Sequence, residues 1–327
     1  MLEELLAQTQ QLLFEALVQP LMFGLGAGNL LPDAYDGLGW VLGGLIQILI
    51  VALVLFPLQR LWPAEPVGPA RTAWRQAVRV DLVYTLLQRL GVVRLGLFLA
   101  LGDLWNGLFG WLAVHGVDGW HLDQWVAPWW PGVTDTAVAG FLVYLVAFDF
   151  LMYWIHRGQH QFSAWWALHA LHHSQRHLNP FTDSRNHLLD DLVVDVLFVV
   201  TARIVGVPPG QFMALVLLSQ ALENLSHANL RWSFGPVGRY LLVSPLYHRL
   251  HHAIGLGHES GPQRRLGGHN FAVLLPIWDL LFGTVRFTRG VEPTGIRDQL
   301  PEEGGRDYGE GFWRQQWLGL KRLCGRA

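Results

Sequence analysis

The sequence predicts an all-α protein embedded in a membrane around a histidine-rich helical core. Three observations predict it. The chain of 327 residues is 51% apolar and only 15% charged, whereas a soluble domain carries about 25% charged residues. Apolar runs long enough to span a bilayer recur in its N-terminal half. Histidines recur at helical spacing between Asp149 and His187, and again at His248, His251 and His252.

The elements follow in order. Residues 1–37 open with MLEELLAQTQQLLFEALVQPLMFGLG, whose apolar positions repeat at helical spacing, so they read as an amphipathic or interfacial helix. They lack the basic start and cleavage signature of a signal peptide. Residues 38–56 are a nearly uncharged run, the first span. Pro57 and RLWPAEPVGPARTAWRQAVR make a polar connection. Residues 80–102 read as a second span, interrupted by Asp81, Arg89 and Arg94. Residues 103–132 are rich in Trp and Gly and suit a membrane interface. Residues 133–155 form a third span that runs directly into His156. Residues 188–220 are two apolar legs around VGVPPG, with Pro208, Pro209 and Gly210 as the breaker. Asp190, Asp191 and Asp195 sit on the first leg. Residues 230–327 are Gly- and Arg-rich and read as mostly soluble. Three regions result: membrane helices and an interfacial loop over 1–132, a metal-binding helical region over 133–287, and a C-terminal tail over 288–327.

Charge orients the spans. No Lys or Arg precedes Arg60, and none occurs in the 62 residues 95–156. By the positive-inside rule the N-terminus and the 103–132 loop face away from the cytoplasm, and the 60–79 loop and the histidine clusters face it. The expected location is an integral membrane protein of the bacterial inner membrane. A net charge of −2 carries no general signature for nucleic acid. The single cysteine, Cys324, excludes an internal disulfide framework and any cysteine-based zinc or iron–sulfur site.

The histidine spacing carries the chemistry. His156 and His160 are four apart, so on a helix both imidazoles share a face. His169, His172 and His173 follow an i, i+3, i+4 pattern, and His248, His251 and His252 repeat it. Neutral imidazole nitrogen suits first-row transition metals. Eight such rings are too many for one ion and about right for two. A solvated histidine-rich surface is the plain alternative, and the repetition of the triplet argues against it. A metal-binding or transport protein without redox turnover is a second functional class. Transporters place their ligands at the bilayer midplane, whereas these follow a span. A zinc hydrolase would want a glutamate beside its ligands, as in HExxH, and neither triplet contains one.

At these residues the sequence resembles the fatty acid hydroxylase/sterol desaturase superfamily of integral-membrane di-iron oxygenases. The resemblance covers about 141–284. Its carriers are D149-x3-YW-x-HR-x2-H160, H169-x2-HH173, the 179–187 stretch, H227-A-N229, S244-P-x2-HR-x-HH252 and N270-F-x4-P-x-WD-x2-FGT284. The first motif is HxxxH rather than the HxxxxH of acyl-CoA desaturases and alkane hydroxylases, which favours the hydroxylase/sterol branch. The tail, with TGIRDQL and YGEGFWRQQWLGLKRL, also looks like bacterial members.

By position, the resemblance implies two iron ions held by His156, His160, His169, His172, His173, His248, His251 and His252, with His227 as a ninth ligand. Overexpressed protein could carry zinc instead. His187 is expected as a ligand or an outer neighbour. Glu223, four residues before His227, is a candidate carboxylate ligand or orienting group. Asp149 is a candidate to orient a ligand histidine or to pair with Arg157. His177, His258 and His269 lie off the motif and read as surface residues, while His115 and His121 fall across the membrane. Trp278 and Asp279 read as structural. The implied activity is O2-dependent hydroxylation or desaturation of an apolar lipid, of sterol or fatty-acyl type. No Rossmann, flavin or ferredoxin motif occurs, so electrons are expected from an external donor protein. The lipid is expected to enter laterally through an apolar cavity between 133–155 and 188–226, with Phe150, Tyr153 and Trp154 as lining candidates.

Overall fold

The computed structural model describes residues 2–68, 71–117, 119–255, 259–260, 265–288 and 290–326. Its helices are α1 (Leu2–Leu13), α2 (Gly28–Leu61), α3 (Arg71–Arg89), α4 (Val92–Val114), α5 (Leu122–Val126), α6 (Ala137–Gln161), α7 (Ser163–His173), α8 (Leu188–Val205), α9 (Pro209–His227), α10 (Pro245–His251), α11 (Ile277–Leu281) and α12 (Phe312–Leu323). Shorter helical turns link several of them. Among the described residues the regular strands are one two-residue ladder, Glu259–Ser260 against Arg265–Leu266. The chain is therefore all-α, as the composition predicts. Among the described residues α2 and α6 are the helices long and apolar enough to cross a membrane.

The chain divides into two compact units. The first comprises residues 1–50 and 85–118. In it α1 packs against the start of α2 through Phe14 and Tyr35, whose rings meet edge-on at 5.1 Å, and Gln10 donates to the Tyr35 carbonyl. Gly44 is required where it stands, because a Cβ there would collide with the Arg89 carbonyl.

The second unit comprises residues 51–84 and 119–327, and it holds every histidine of the motifs. Thr136 caps α6 by accepting from the Ala139 amide. The hairpin α8–α9 lies along α6. Near the start of α6, Tyr144 donates to Asp123 at 2.8 Å and reaches the carbonyl of Gly206 at the hairpin tip. Near its end, Gln159 donates to Asp190 at the base of the hairpin. Tyr144 and Gln159 are about 22 Å apart along the helix, at 1.5 Å per residue. The hairpin thus extends as far as α6 does. Tyr144, Phe148 and Leu215 form the core between them, with Phe198 and Phe212 packed around it.

Several boundaries differ from those expected. The second span does not occupy 80–102. Gly91, in the left-handed conformation with φ 66°, ends the α3 run and starts α4, so the apolar segment is shifted to Val92–Val114. A glycine is tolerated there because a Cβ would strain that conformation. Consequently 103–114 is helix, and only the remainder of the expected interfacial loop is irregular, broken by α5. The third span starts later and continues through Gln161, so His156 and His160 stand on its last turns. The left-handed residue of the hairpin is Gly206, while Pro209 opens α9 at a position where its missing N–H costs nothing.

Asp81, expected as an interruption in a span, is instead a buried anchor. It is fully buried on α3 and accepts from Gln175, Asn179 and Thr182, each at 2.8 Å. It also pairs with Arg185 at 3.2 Å. Together these contacts fix the 174–187 loop that carries the chain from α7 to α8. Removing one partner of a buried ion pair leaves the other uncompensated and costs about 3–5 kcal/mol. Asp81→Ala should therefore lower the melting temperature of the detergent-solubilised protein by several degrees, read by circular dichroism. An unchanged melting curve would show that this anchor contributes nothing.

Candidate metal centre

Each histidine is placed by an element whose local chemistry is visible. His156 and His160 end α6. His169, His172 and His173 form the last turns of α7, which begins where Phe162 leaves the helical conformation. His227 closes α9. His248 and His251 lie on α10, and His252 is its C-cap. Ser244 caps α10 by accepting from Tyr247, and Pro245 occupies the first turn, so the S-P-x2-H spacing sets where this helix begins.

The nine expected ligands are brought together. Eight form two groups of four: His156, His160, His173 and His251, and His172, His227, His248 and His252. Within each group the ligand atoms all lie within 4.8 Å of one another. All eight residues are at most 5% exposed. The groups adjoin, since His173 of the first stacks on His252 of the second with centroids 4.3 Å apart. Each His-His dipeptide is divided between the groups. Successive residues of a helix point about 100° apart, so a dipeptide can serve two ions.

The proton positions follow from the acceptors. His156 Nδ1 donates to the Phe271 carbonyl at 2.9 Å, His251 Nδ1 to the His269 carbonyl at 2.8 Å, and His227 Nδ1 to the Glu223 carbonyl at 2.8 Å. A carbonyl only accepts, so these rings carry their proton on Nδ1 and turn a bare Nε2 inward. In the second group the Nε2 atoms of His172 and His227 are 3.1 Å apart, those of His227 and His248 2.9 Å, and those of His248 and His252 3.2 Å. Nitrogens bound to one ion at 2.0–2.1 Å lie about 2.9–3.4 Å from each other. The donor set therefore fits a metal ion. Burial, and after it the charge of neighbouring histidines, pushes the pKa of His172, His173, His248 and His252 well below the usual value. Neutral rings are the form that binds metal.

His169 stands outside both groups but between them, 5.4 Å from the His156 ring of the first and 5.2 Å from the His172 ring of the second. Its Nδ1 faces Asp190 Oδ2 at 3.1 Å. Its Nε2 is buried without a hydrogen-bond partner, the state expected of a nitrogen turned toward a cation.

Three expected roles change. His187 is no ligand: its Nε2 donates to the Gln316 carbonyl and its Nδ1 accepts from the Leu189 amide as the cap of α8. Both ring nitrogens are occupied by backbone. Glu223 orients His227 through its carbonyl rather than its carboxylate. Asp149 neither touches a ligand histidine nor pairs with Arg157, which donates instead to Tyr153. It accepts from the amides of Leu274 and Leu275 and from the Trp278 indole.

Asp279 and Trp278 are structural, as expected, and Asp279 fixes the centre. It accepts from the amides of Phe271 and Ala272 and from the hydroxyls of Tyr247 and Thr284. This holds the carbonyl that orients His156 and the helix that carries His248. Asn270, with φ 61°, bridges the Tyr247 and Arg286 backbones. His269 contributes its carbonyl and leaves its ring beside Arg286. His177 is partly buried, and His258 lies outside the described residues. His115 and His121 join neither group.

An apolar groove of about 550 Å³ is lined by Leu122, Val126, Trp130, Leu142, Val146, Phe150 and Trp278, among others. Its walls are α5, α6 and α11; the α8–α9 hairpin, expected as a wall, does not line it. Of the three expected lining residues only Phe150 takes part. Tyr153 is fully buried against Phe271 and Phe282, and Trp154 packs on Phe282.

The residue that the histidine spacing does not reveal is Asp190. It accepts from Gln159 at 2.8 Å and Trp165 at 2.7 Å while facing His169. A carboxylate on an apolar leg three residues after the motif is the available signal. Asp190→Asn would present an amide N–H to His169 Nδ1, forcing the ring proton onto Nε2. Metal affinity should fall about 10–100-fold with helix content retained, read by competition with a chelator. Unchanged affinity would remove His169 from the centre.

The comparisons with known proteins agree with this geometry. The family model for fatty acid hydroxylase matches residues 141–284. An ornithine lipid hydroxylase of Rhizobium tropici is 30% identical over 155 residues, 47% of this chain and 44% of the relative. An alkylglycerol monooxygenase of Caenorhabditis elegans is 26% identical over 178 residues, 54% of this chain and 31% of the relative. A very-long-chain aldehyde decarbonylase of Arabidopsis thaliana is 24% identical over 173 residues, 48% of this chain and 25% of the relative. The chain thus spans less than half the length of these curated relatives. No solved structure matches. The histidine motifs lie inside the matched segment, and over that segment the chain is similar to the fatty acid hydroxylase family.

Proposed function

We propose that the chain is a membrane-bound, non-haem di-iron oxygenase that uses O2 to hydroxylate or desaturate an apolar lipid. The observation that carries this reading is the pair of adjoining, buried four-histidine groups at the end of a helix long enough to cross a membrane. Two irons held there would supply the capacity to activate O2 against an unactivated C–H bond. The chain's own residues would do the rest. His156, His160, His173 and His251 would hold one ion, and His172, His227, His248 and His252 the other, with His169 between them. Asp190 and the carbonyls of Phe271, His269 and Glu223 would hold the rings in their binding tautomer. Phe271, whose ring packs 5.3 Å from His160 and 6.1 Å from His156, would help exclude water.

The lipid substrate is supported by two of the relatives, whose names specify an ornithine lipid and an alkylglycerol. The placement of the histidines at the end of α6, rather than midway along it, disfavours transport. The two electrons that each turnover needs would come from an external donor protein. The charge distribution supports a centre on the cytoplasmic side of a bacterial inner membrane.

Purified protein should contain two metal ions per chain, iron when iron is supplied. With a chemical or protein reductant and a lipid extract, it should consume O2 and yield lipid products bearing one added oxygen or lacking two hydrogens. His172→Ala and His251→Ala should each abolish product formation and lower metal content, while circular dichroism stays unchanged. A metal-loaded protein that yields no O2-dependent lipid product from any extract would leave the metal-binding reading without turnover.

Orientation has its own test. On a Cys324→Ser background, a cysteine replacing Trp129, which is 83% exposed, should be labelled by an impermeant reagent from the outer face of intact cells. Labelling only after the cytoplasmic face is opened would reverse the orientation.

A further inference from the structure

The last helix, α12, has its polarity inverted. Its buried face is polar: Gln315, Gln316 and Arg322 are each at most 8% exposed, with Gly319 buried between them. Its outer face carries Trp313, 79% exposed, and Trp317, 57% exposed. An amphipathic helix in water turns the other way. The polar face is tied into the fold. Tyr84 donates to Gln315, Gln316 accepts from the Leu188 amide and donates to the Asn186 carbonyl, and Arg322 donates to the Ala167 carbonyl. Gly319 is pressed against the His187 ring so closely that a Cβ would collide with it. The two tryptophans are therefore not left outside by loose docking. The helix is held firmly in the orientation that exposes them.

The docking partner fixes the depth of this helix. Asn186, His187 and Leu188 lie at the start of α8, so α12 sits level with the base of the hairpin. On α8 itself Leu189 and Val193 are each about two-fifths exposed. Tryptophan is the residue most at home at the level where hydrocarbon meets headgroups. The charge agrees with a lipid surface. Residues 312–327 contain Arg314, Lys321, Arg322 and Arg326 but no Asp or Glu; Arg314 pairs with Asp307 and Arg322 is buried, and the Lys321 ammonium lies over the Trp317 ring. Basic residues beside a Trp-bearing face are the pattern of helices that lie in the plane of an anionic membrane.

We propose that Phe312–Leu323 is a membrane-surface anchor, with Trp313 and Trp317 seated among the headgroups of an anionic bilayer and Lys321 against their phosphates. Through Gln316 and Gly319 the anchor would hold His187 and the base of α8, and so Asp190, at a set height relative to the lipid. This rests on the reading of α6 as membrane-spanning, not on the identity of the reaction.

The test uses the full chain, metal-loaded and reconstituted into vesicles of phosphatidylcholine with phosphatidylglycerol. On the Cys324→Ser background, single nitroxide labels replace Trp313, Trp317, Val146 on the outer face of α6, or the exposed Glu302. Metal content and circular dichroism confirm that each labelled chain is folded. Collision with O2 and with a water-soluble nickel chelate reports depth. Labels at 313 and 317 should be several-fold less accessible to the chelate than the label at 302, and less so in vesicles of phosphatidylcholine alone. Labels at 313 and 317 as accessible as that at 302, with the label at 146 protected, would overturn the anchor alone. A label at 146 open to the chelate would overturn the span and the anchor together. Protection at 313 and 317 that arises only when an acidic protein is added would overturn it in favour of a protein-docking face.

Discussion

The structure depends on one constraint: several neutral imidazoles must turn bare nitrogens toward each other in a place without water. A buried polar atom without a partner costs about 1–3 kcal/mol, a cost that bound cations would offset. Before that, each ring must be prevented from turning away or from sharing its proton inward. For four of the rings the chain does this by giving the Nδ1 atom an outward partner. His156, His227 and His251 each donate to a main-chain carbonyl, and His169 faces a carboxylate. The acceptors must themselves be immobile, which explains the polar load of the surrounding segments. Asp279 fixes the stretch of chain at Phe271, Asn270 fixes the turn beside it, and Asp149 ties the whole segment to α6. Beyond α10, the segment from His269 to Asp279 supplies and holds the two carbonyls that orient His156 and His251.

The same constraint accounts for the form of the motifs. A ring at one position of a helix can face one ion, and its neighbour in sequence faces about 100° away. The pairs His172–His173 and His251–His252 are therefore shared out, one ring to each group. Two short helices, α7 and α10, then suffice to wall both positions, with α6 and α9 each completing a group. Ending α6 and α9 at the centre also places the ligands where α6, a helix long enough to cross a membrane, terminates. An eight-histidine site in the middle of a bilayer would require burying its outward N–H partners in hydrocarbon as well.

How much of this is legible in the sequence depends on the range of the interaction. Helical periodicity and the i, i+3, i+4 repeats are local, and they locate the ligand helices and the histidines of the three clusters. His227, isolated in sequence, is reached through the family resemblance. Asp81 reads as a defect in an apolar run because its partners, Gln175 to Arg185, lie about a hundred positions away. Asp149 reads as a partner of nearby Arg157 for the same reason, whereas its true partners are at 274–278. His187 carries the signature of a ligand, but the identity of the group that takes its Nε2, the carbonyl of Gln316, is set by tertiary packing. Gly91 shows the opposite failure. Hydropathy averaged over a window passes through the one residue whose conformation divides the helix.

The closure of the site on its membrane side bears on how a lipid would reach it. The groove along α6 ends at Phe150 and Trp278, whose rings meet at 4.8 Å. From Phe150 an unbroken series of ring contacts runs through Phe282, Tyr153 and Phe271 to His160. Its members are not equally held. Tyr153 is pinned by Thr284 and Arg157, and Phe271 by Asp279 through its amide. Phe282 stands just past α11 at the exposed edge and is 39% exposed, held by ring stacking and by the backbone of its own turn. Aromatic contacts of this kind contribute about 0.5–1.5 kcal/mol each, less than the buried hydrogen bonds to charged groups that fix Phe271. A chain arriving from the groove would therefore displace Phe282 before Tyr153 or Phe271.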